Sequence, residues 1–108
     1  MLTQTEIDKL IQRIVTRIQP QKVMIFGSYA KGTATIKSDL DIFVIKETEL
    51  PMANRADDLA PMLSHALIPV DVHIYTPEEV EEYSQEPFSF VSSILKSGKT
   101  VFRNRGIS

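Results

Sequence analysis

The chain has 108 residues, 43% apolar content and no cysteine. It has room for one small core that removes about two-thirds of its unfolded surface from water, and it cannot use disulfides, thiolate catalysis or cysteine-based zinc. Twelve basic and fourteen acidic side chains give a net charge of −2 without a long same-sign run, so nothing signals a nucleic-acid backbone or an anionic membrane as partner.

The N-terminus "MLTQTEIDKL" lacks a signal core, and no apolar stretch reaches the roughly 18 residues that span a bilayer. A single non-exported, cytoplasmic domain over residues 1–108 is expected. In chain order, Ile7, Leu10, Ile11, Ile14, Val15 and Ile18 recur at helical spacing; Thr3 and Glu6 match a capping box, Leu2 and Ile7 a hydrophobic staple, and Pro20 ends the helix. "KVMIF" (22–26) reads as a buried strand stopped by Gly27. "DLDIFVI" (39–45) and "VDVHIY" (70–75) read as two further strands with period-two alternation. Between them, Met52, Ala56, Leu59, Leu63 and Ala66 predict a helix kinked or split at Pro61. Thr76 before "PEEVEEYS" reads as an N-cap with Pro at the first helical position. "FSFVSSILKSGKTVF" predicts a last helix closed by Gly98 and then a short strand. The alternation of helices and strands predicts an α/β (α+β) fold, a small mixed sheet with helices packed against it.

The chemistry starts from side-chain direction. On a strand, residues i and i+2 share a face at ~6.6–7 Å spacing, so Asp39 and Asp41 project together while Leu40, Ile42 and Val44 enter the opposite layer. By the same rule Asp71 separates from Val70, Val72 and Ile74, and if its strand neighbours the second, three acids converge. Two like charges ~6 Å apart repel by roughly 3 kcal/mol at an effective dielectric near 20, which makes the cluster a liability without a cation. An all-oxygen donor set suits Mg²⁺ or Mn²⁺, ions that commonly bind one or two carboxylates together with substrate phosphates. Gly27 ends the first strand, and Ser28 opens a helical turn whose free N–H groups and hydroxyl suit an anion. Gly27 and Gly32 have the glycine spacing of a P-loop, but Thr33 follows Gly32 directly where that motif needs Lys, and no G-x-G-x-x-G is present.

Taken together, "FGSYAKG", "SDLDIFVI" and "VDVHIY" resemble the Gly-Ser, Asp-x-Asp and third-acid signature of the DNA polymerase β-type nucleotidyltransferases. The similarity covers residues 4 to 75, and the length and leading helix resemble the minimal nucleotidyltransferases of that superfamily, which implies a polymerase β-like core. The resemblance implies that Gly27 and Ser28 hold the β,γ-phosphates of a nucleoside triphosphate, with ATP favoured. It implies that Asp39 and Asp41 bind two Mg²⁺ ions, and that Asp71 shares one and helps deprotonate the attacking hydroxyl. Lys31 stands where many minimal members carry Arg, so it is a secondary contact, a point charge without Arg's bidentate fork.

Larger relatives carry an extra helical domain for the acceptor, and this chain reaches Ser108 without one, so the acceptor surface is expected to be very small or to come from another chain. Minimal members are commonly paired with a helical HEPN-domain ribonuclease in toxin–antitoxin modules, which implies AMP transfer to a tyrosine of that toxin. Two other functions fit the same residues: a binding module that neutralises the partner by contact alone, or an enzyme acting on a small molecule or a nucleic-acid end.

Other polar residues have plainer readings. His73 shares the Asp71 face but reads as structural; His65, Asp57 and Asp58 read as surface, and "EEVEEY" as a solvated helix. "FRNRGIS" reads as a frayed tail whose Arg103 and Arg105 are free to touch a partner, and Met24, Met52 and Met62 read as core filler. Residues 76–108 carry no assignable motif, and the exposed edges of so small a sheet leave self-association open.

Overall fold

In a computed structural model, described over residues 1–105, the leading helix α1 spans Gln4–Ile18. Its start is fixed as expected: the Glu6 amide donates to Thr3 Oγ1 (3.2 Å) and the Thr3 amide donates to Glu6 Oε1 (2.8 Å). Gln19 ends it in the left-handed region (φ 49°), its amide donating to the Val15 carbonyl, and Pro20 follows. Three strands then come in the expected order: β1 (Lys22–Phe26), followed by a single helical turn α2 (Ser28–Lys31), then β2 (Leu40–Ile45) and β3 (Val70–Tyr75). Helices α4 (Pro77–Ser84) and α5 (Phe90–Ser97) and strand β4 (Lys99–Arg103) complete the order after α3 (Ala60–Leu63).

The sheet runs β3-β2-β1-β4; β2 and β3 are parallel, and β1 is antiparallel to both β2 and β4. A parallel neighbour requires a crossover, and residues 46–69 supply it. The single kinked helix expected there is instead two 3-10 turns, Met52–Asn54 and Asp57–Leu59, followed by α3. Pro61 lies at the start of α3 rather than in the middle of a helix, because its missing N–H costs nothing at that position. Of the predicted apolar positions only Leu59 is fully buried. Arg55 pins the segment: its Nε donates to the Leu50 carbonyl (2.9 Å), its Nη1 to the Ile74 carbonyl (3.2 Å), and both Nη atoms to the Glu79 carboxylate (2.6 and 3.1 Å). Glu79 also caps α4, accepting from the Thr76 amide.

Both faces of the sheet are covered. Val23, Ile25, Leu40, Ile42, Val44 and Ile74 pack against Ile7, Ile11, Ile14 and Ile18 of α1 and against Leu59. On the other face, Met24 and Phe43 pack against Val91 and Ile94 of α5, flanked by the half-buried Phe26, Ile45, Tyr75 and Val80. Each such large side chain contributes roughly 1.5–3 kcal/mol by leaving water. Met52 departs from its expected core place: it is 47% exposed, and its sulfur accepts from Arg55 Nη1. The tail also departs from expectation. Phe102 and Arg103 belong to β4 and pair with β1, and the Asn104 amide donates to the Gln21 carbonyl (2.8 Å). Gly106, Ile107 and Ser108 lie outside the described residues. Among the described residues no helix is long and apolar enough to cross a membrane.

Candidate active site

The acid-bearing residues meet at one end of the sheet. In the parallel register of β2 and β3, Asp41 stands directly beside Asp71, and on its other side Asp41 pairs with Phe26 of β1. These three side chains form the first row of the α5-covered face, and His73, Phe43 and Met24 form the second. The helices cover the second row and leave the first open: Phe43 is fully buried, whereas Asp41 is half-buried and Asp71 exposed. Asp39 lies one residue before β2, exposed, rather than on the strand as expected. It still acts on Asp41, whose carboxyl is pushed above its ordinary range by burial first, then by the negative charges of Asp71 and Asp39, with His73 acting in the opposite direction.

Gly27 joins this row to the helical turn α2. It is the N-cap of α2, with φ 74° and ψ −152°, a backbone state that favours glycine. A Cβ added at Gly27 would lie 2.5 Å from Asp41 Oδ2. The turn is held from behind by buried Ala30 and by Tyr29, whose hydroxyl accepts from the Leu2 amide (2.9 Å). The Lys31 amide bonds to the Gly27 carbonyl (3.1 Å), so the amides of Ser28, Tyr29 and Ala30 precede the first intrahelical bond of the turn. Lys31 ends the turn, exposed. Thr33 returns its amide to the Ser28 carbonyl (3.0 Å), and Thr35 and Ser38 brace the following loop, the Thr35 amide donating to Ser38 Oγ (2.8 Å) and the Ser38 amide to the Thr35 carbonyl (3.0 Å). The loop thereby delivers Asp39 next to Asp41.

Among the described residues no three His, Asp or Glu side chains stand close enough to hold a metal ion by themselves. The donor set still fits Mg²⁺: it is all carboxylate and open to solvent on one side, and burial, with the like charges of Asp71 and Asp39 after it, disfavours ionisation of Asp41 in the absence of a cation. That ion typically takes one or two carboxylates and completes its shell with water and substrate phosphate oxygens.

The structure thus brings Gly27, Ser28, Asp39, Asp41 and Asp71 to one place. It adds residues that the strand pattern did not single out. Phe26 and Phe90 sit beside the acids with His73, in ring contact at 5.2–5.7 Å between centroids. The position of Phe26, immediately before Gly27, was a local clue; nothing local marked Phe90.

Comparison with known proteins bears on the family and the fold. Residues 8–106 match the family model described as polymerase beta, nucleotidyltransferase. A Methanocaldococcus jannaschii protein assigned as a protein adenylyltransferase is 27% identical over 84 residues, covering 76% of this chain and 78% of that one. Among solved structures, a toxin–antitoxin complex with AMP-PNP superposes with a TM-score of 0.64 at 21% identity, covering 92% of this chain and 75% of that one. A Sulfolobus solfataricus protein assigned as a nucleotidyltransferase gives 0.62 at 17% identity over 94% and 80% of the two chains. A mutant of the toxin–antitoxin pair MntA–HpeT gives 0.57 at 23% identity over 98% and 76%. These structural likenesses bear on the fold.

Proposed function

The chain belongs to the polymerase beta nucleotidyltransferase family, and on that premise we propose that it transfers AMP from ATP to a hydroxyl of a partner protein. The observation that carries this reading is the contact of Gly27 with Asp41, beside Asp71 in register. This adjacency of a helical turn and a pair of carboxylates supports the reading.

In the proposed reaction the acceptor oxygen attacks the α-phosphorus and forms a new P–O bond. The bond from that phosphorus to the bridging oxygen breaks, and pyrophosphate leaves with the electron pair. The hydroxyl proton passes to Asp71, the carboxylate on the side away from the phosphate turn. Gly27 and Ser28 hold the β,γ-phosphates, Gly27 by letting the backbone approach and Ser28 through its hydroxyl. Lys31 is a secondary phosphate contact. Asp39 and Asp41 would hold Mg²⁺, with Asp71 sharing one ion; when bound, Mg²⁺ neutralises phosphate charge and orients the reacting oxygens. The contribution of the chain's own residues is positioning and charge complementarity at a fixed sheet edge.

The partner we propose is a HEPN-domain toxin modified on a tyrosine, with this chain as its antitoxin. The relative assigned as a protein adenylyltransferase and the toxin–antitoxin assemblies among the structural neighbours support that reading. The test is to incubate the purified chain with α-labelled ATP, Mg²⁺ and the HEPN partner. Label on the partner, absent with Asp41→Asn, is the expected result. Neutralisation of the partner by Asp41→Asn, with no label transferred by either form, would show a contact-only antitoxin instead.

A further inference from the structure

The acid-bearing face carries a feature that neither the phosphate turn nor the carboxylates use. Phe26, His73 and Phe90 meet as a ring cluster, with centroids 5.7 Å apart for Phe26–His73, 5.5 Å for Phe26–Phe90 and 5.2 Å for His73–Phe90. The last two contacts are edge-on, an arrangement favoured by ring quadrupoles. Sheet register fixes where the cluster lies. Phe26 is directly beside Asp41, and His73 is two residues beyond Asp71 on the same face of β3. Phe26 therefore shares the row of the carboxylates, and His73 lies one step behind it. Phe90, at the start of α5, closes the cluster from above yet remains 44% exposed, and Phe88 just before it is fully exposed. An aromatic surface left in water beside exposed carboxylates is an unusual use of apolar area in a small domain.

We propose that Phe26, His73 and Phe90 form an acceptor subsite that holds an aromatic ring with its hydroxyl presented at Asp71. The proposal rests on the nucleotidyl-transfer reading for its geometry. In an in-line displacement the entering oxygen lies opposite the departing pyrophosphate. The departing group is held at Gly27–Ser28, beyond the end of β1, so the entering oxygen lies across Asp41 from it, at Asp71. His73 and Phe90 are the next surfaces such a molecule meets. One i, i+2 step on a strand, ~6.6–7 Å, separates Asp71 from His73. A hydroxyl borne directly on a flat ring reaches the first while its ring packs against the second. An aliphatic hydroxyl gains nothing from the ring surface. Phe88 at the rim suits a ring carried on a polypeptide, because covering it removes a wholly exposed phenyl from water. The nucleobase of the donor is the competing ring.

The probe is phenol, titrated into the full isotope-labelled chain and followed by NMR, with cyclohexanol as the non-aromatic control and AMP-PNP as the nucleotide. Phenol is expected to shift the Phe26, His73 and Phe90 ring resonances several-fold more than cyclohexanol does at equal concentration. Phe90→Leu, which keeps an apolar side chain at a partly exposed position, is expected to reduce the phenol shifts at least five-fold and to leave AMP-PNP affinity within two-fold. Equal shifts with phenol and cyclohexanol, or no shifts, would overturn the proposal. So would a five-fold or greater loss of AMP-PNP affinity in Phe90→Leu with phenol shifts intact, which would assign the rings to the nucleobase. The readout is binding, so a chain that binds phenol at these rings but never transfers label would sink the transfer reading and leave the ring site in place.

Discussion

Gly27 and Asp41 are in such close approach that no side chain fits between them: a Cβ on Gly27 would come 2.5 Å from Asp41 Oδ2. The residues are fourteen apart in sequence, and β1–β2 pairing brings them together by setting Phe26 opposite Asp41. The turn at Gly27 and the Asp41 carboxylate are therefore packed directly against each other.

Gly27→Ala should damage both stability and catalysis. The new methyl meets a carboxylate oxygen, and alanine is strained at φ 74°, together a cost of about 1–3 kcal/mol. Urea unfolding should show that loss. Label transfer should fall at least 100-fold, because relief of the clash displaces Asp41. Transfer at the wild-type rate would show that the turn is no part of the site.

Asp41→Asn separates stability from activity. With its folded pKa raised above the ordinary 3.8, Asp41 keeps its proton at pH values where the unfolded chain has already lost it. Its ionisation therefore destabilises the fold as pH rises through that interval, and the penalty is complete above the folded pKa. Asp41→Asn should raise the Tm at neutral pH, with the advantage vanishing below the ordinary carboxylate range. Mg²⁺ with ATP should raise the Tm of the wild type more than that of the variant. A variant less stable than the wild type at pH 7 without Mg²⁺ would contradict this account of burial and like-charge repulsion.

Glu79→Ala should loosen the crossover. Its carboxylate is held below its ordinary 4.5 chiefly by the hydrogen bonds from Arg55, whose side chain is only 9% exposed. Removing it strands a largely buried guanidinium and takes the acceptor from the Thr76 amide at the start of α4, a loss of about 2–3 kcal/mol after allowance for the partial exposure of Glu79. In the wild type this stabilisation is present above pH 4.5 and disappears as pH falls through the lower folded value. Denaturant midpoints of both proteins across pH 3–7 should converge at the acid end.

Leu59→Ala tests whether a segment with so little regular structure belongs to the core. Leu59 is fully buried against the α1 layer, so a loss of about 2–4 kcal/mol is expected. A loss under about 1 kcal/mol would mean that the crossover rides on the core without completing it.

Much of this site was legible because its signals are local. Asp41 was readable as a carboxylate facing away from Leu40, Ile42 and Val44 because alternation is a property of one strand, and Gly27–Ser28 because a turn after a strand needs no distant partner. Thr3–Glu6 capped α1 for the same reason. The helix expected over 52–66 failed because its spacing mimics a helical stripe, while Arg55 holds the segment by bonds to Ile74 and Glu79, which no local periodicity encodes. Met52 failed with it, since its sulfur serves Arg55 rather than the core.

By itself, then, the sequence determined the strands, the faces of their side chains, the turn after β1 and the carboxylate character of the cluster, all of which follow from backbone geometry within a few residues. Only the tertiary structure decided that β3 lies parallel beside β2, so that Asp71 meets Asp41, and that α5 sets Phe90 against Phe26 and His73. Those contacts join residues tens of positions apart, and burial on both faces of the sheet, which no single segment can achieve, selects them.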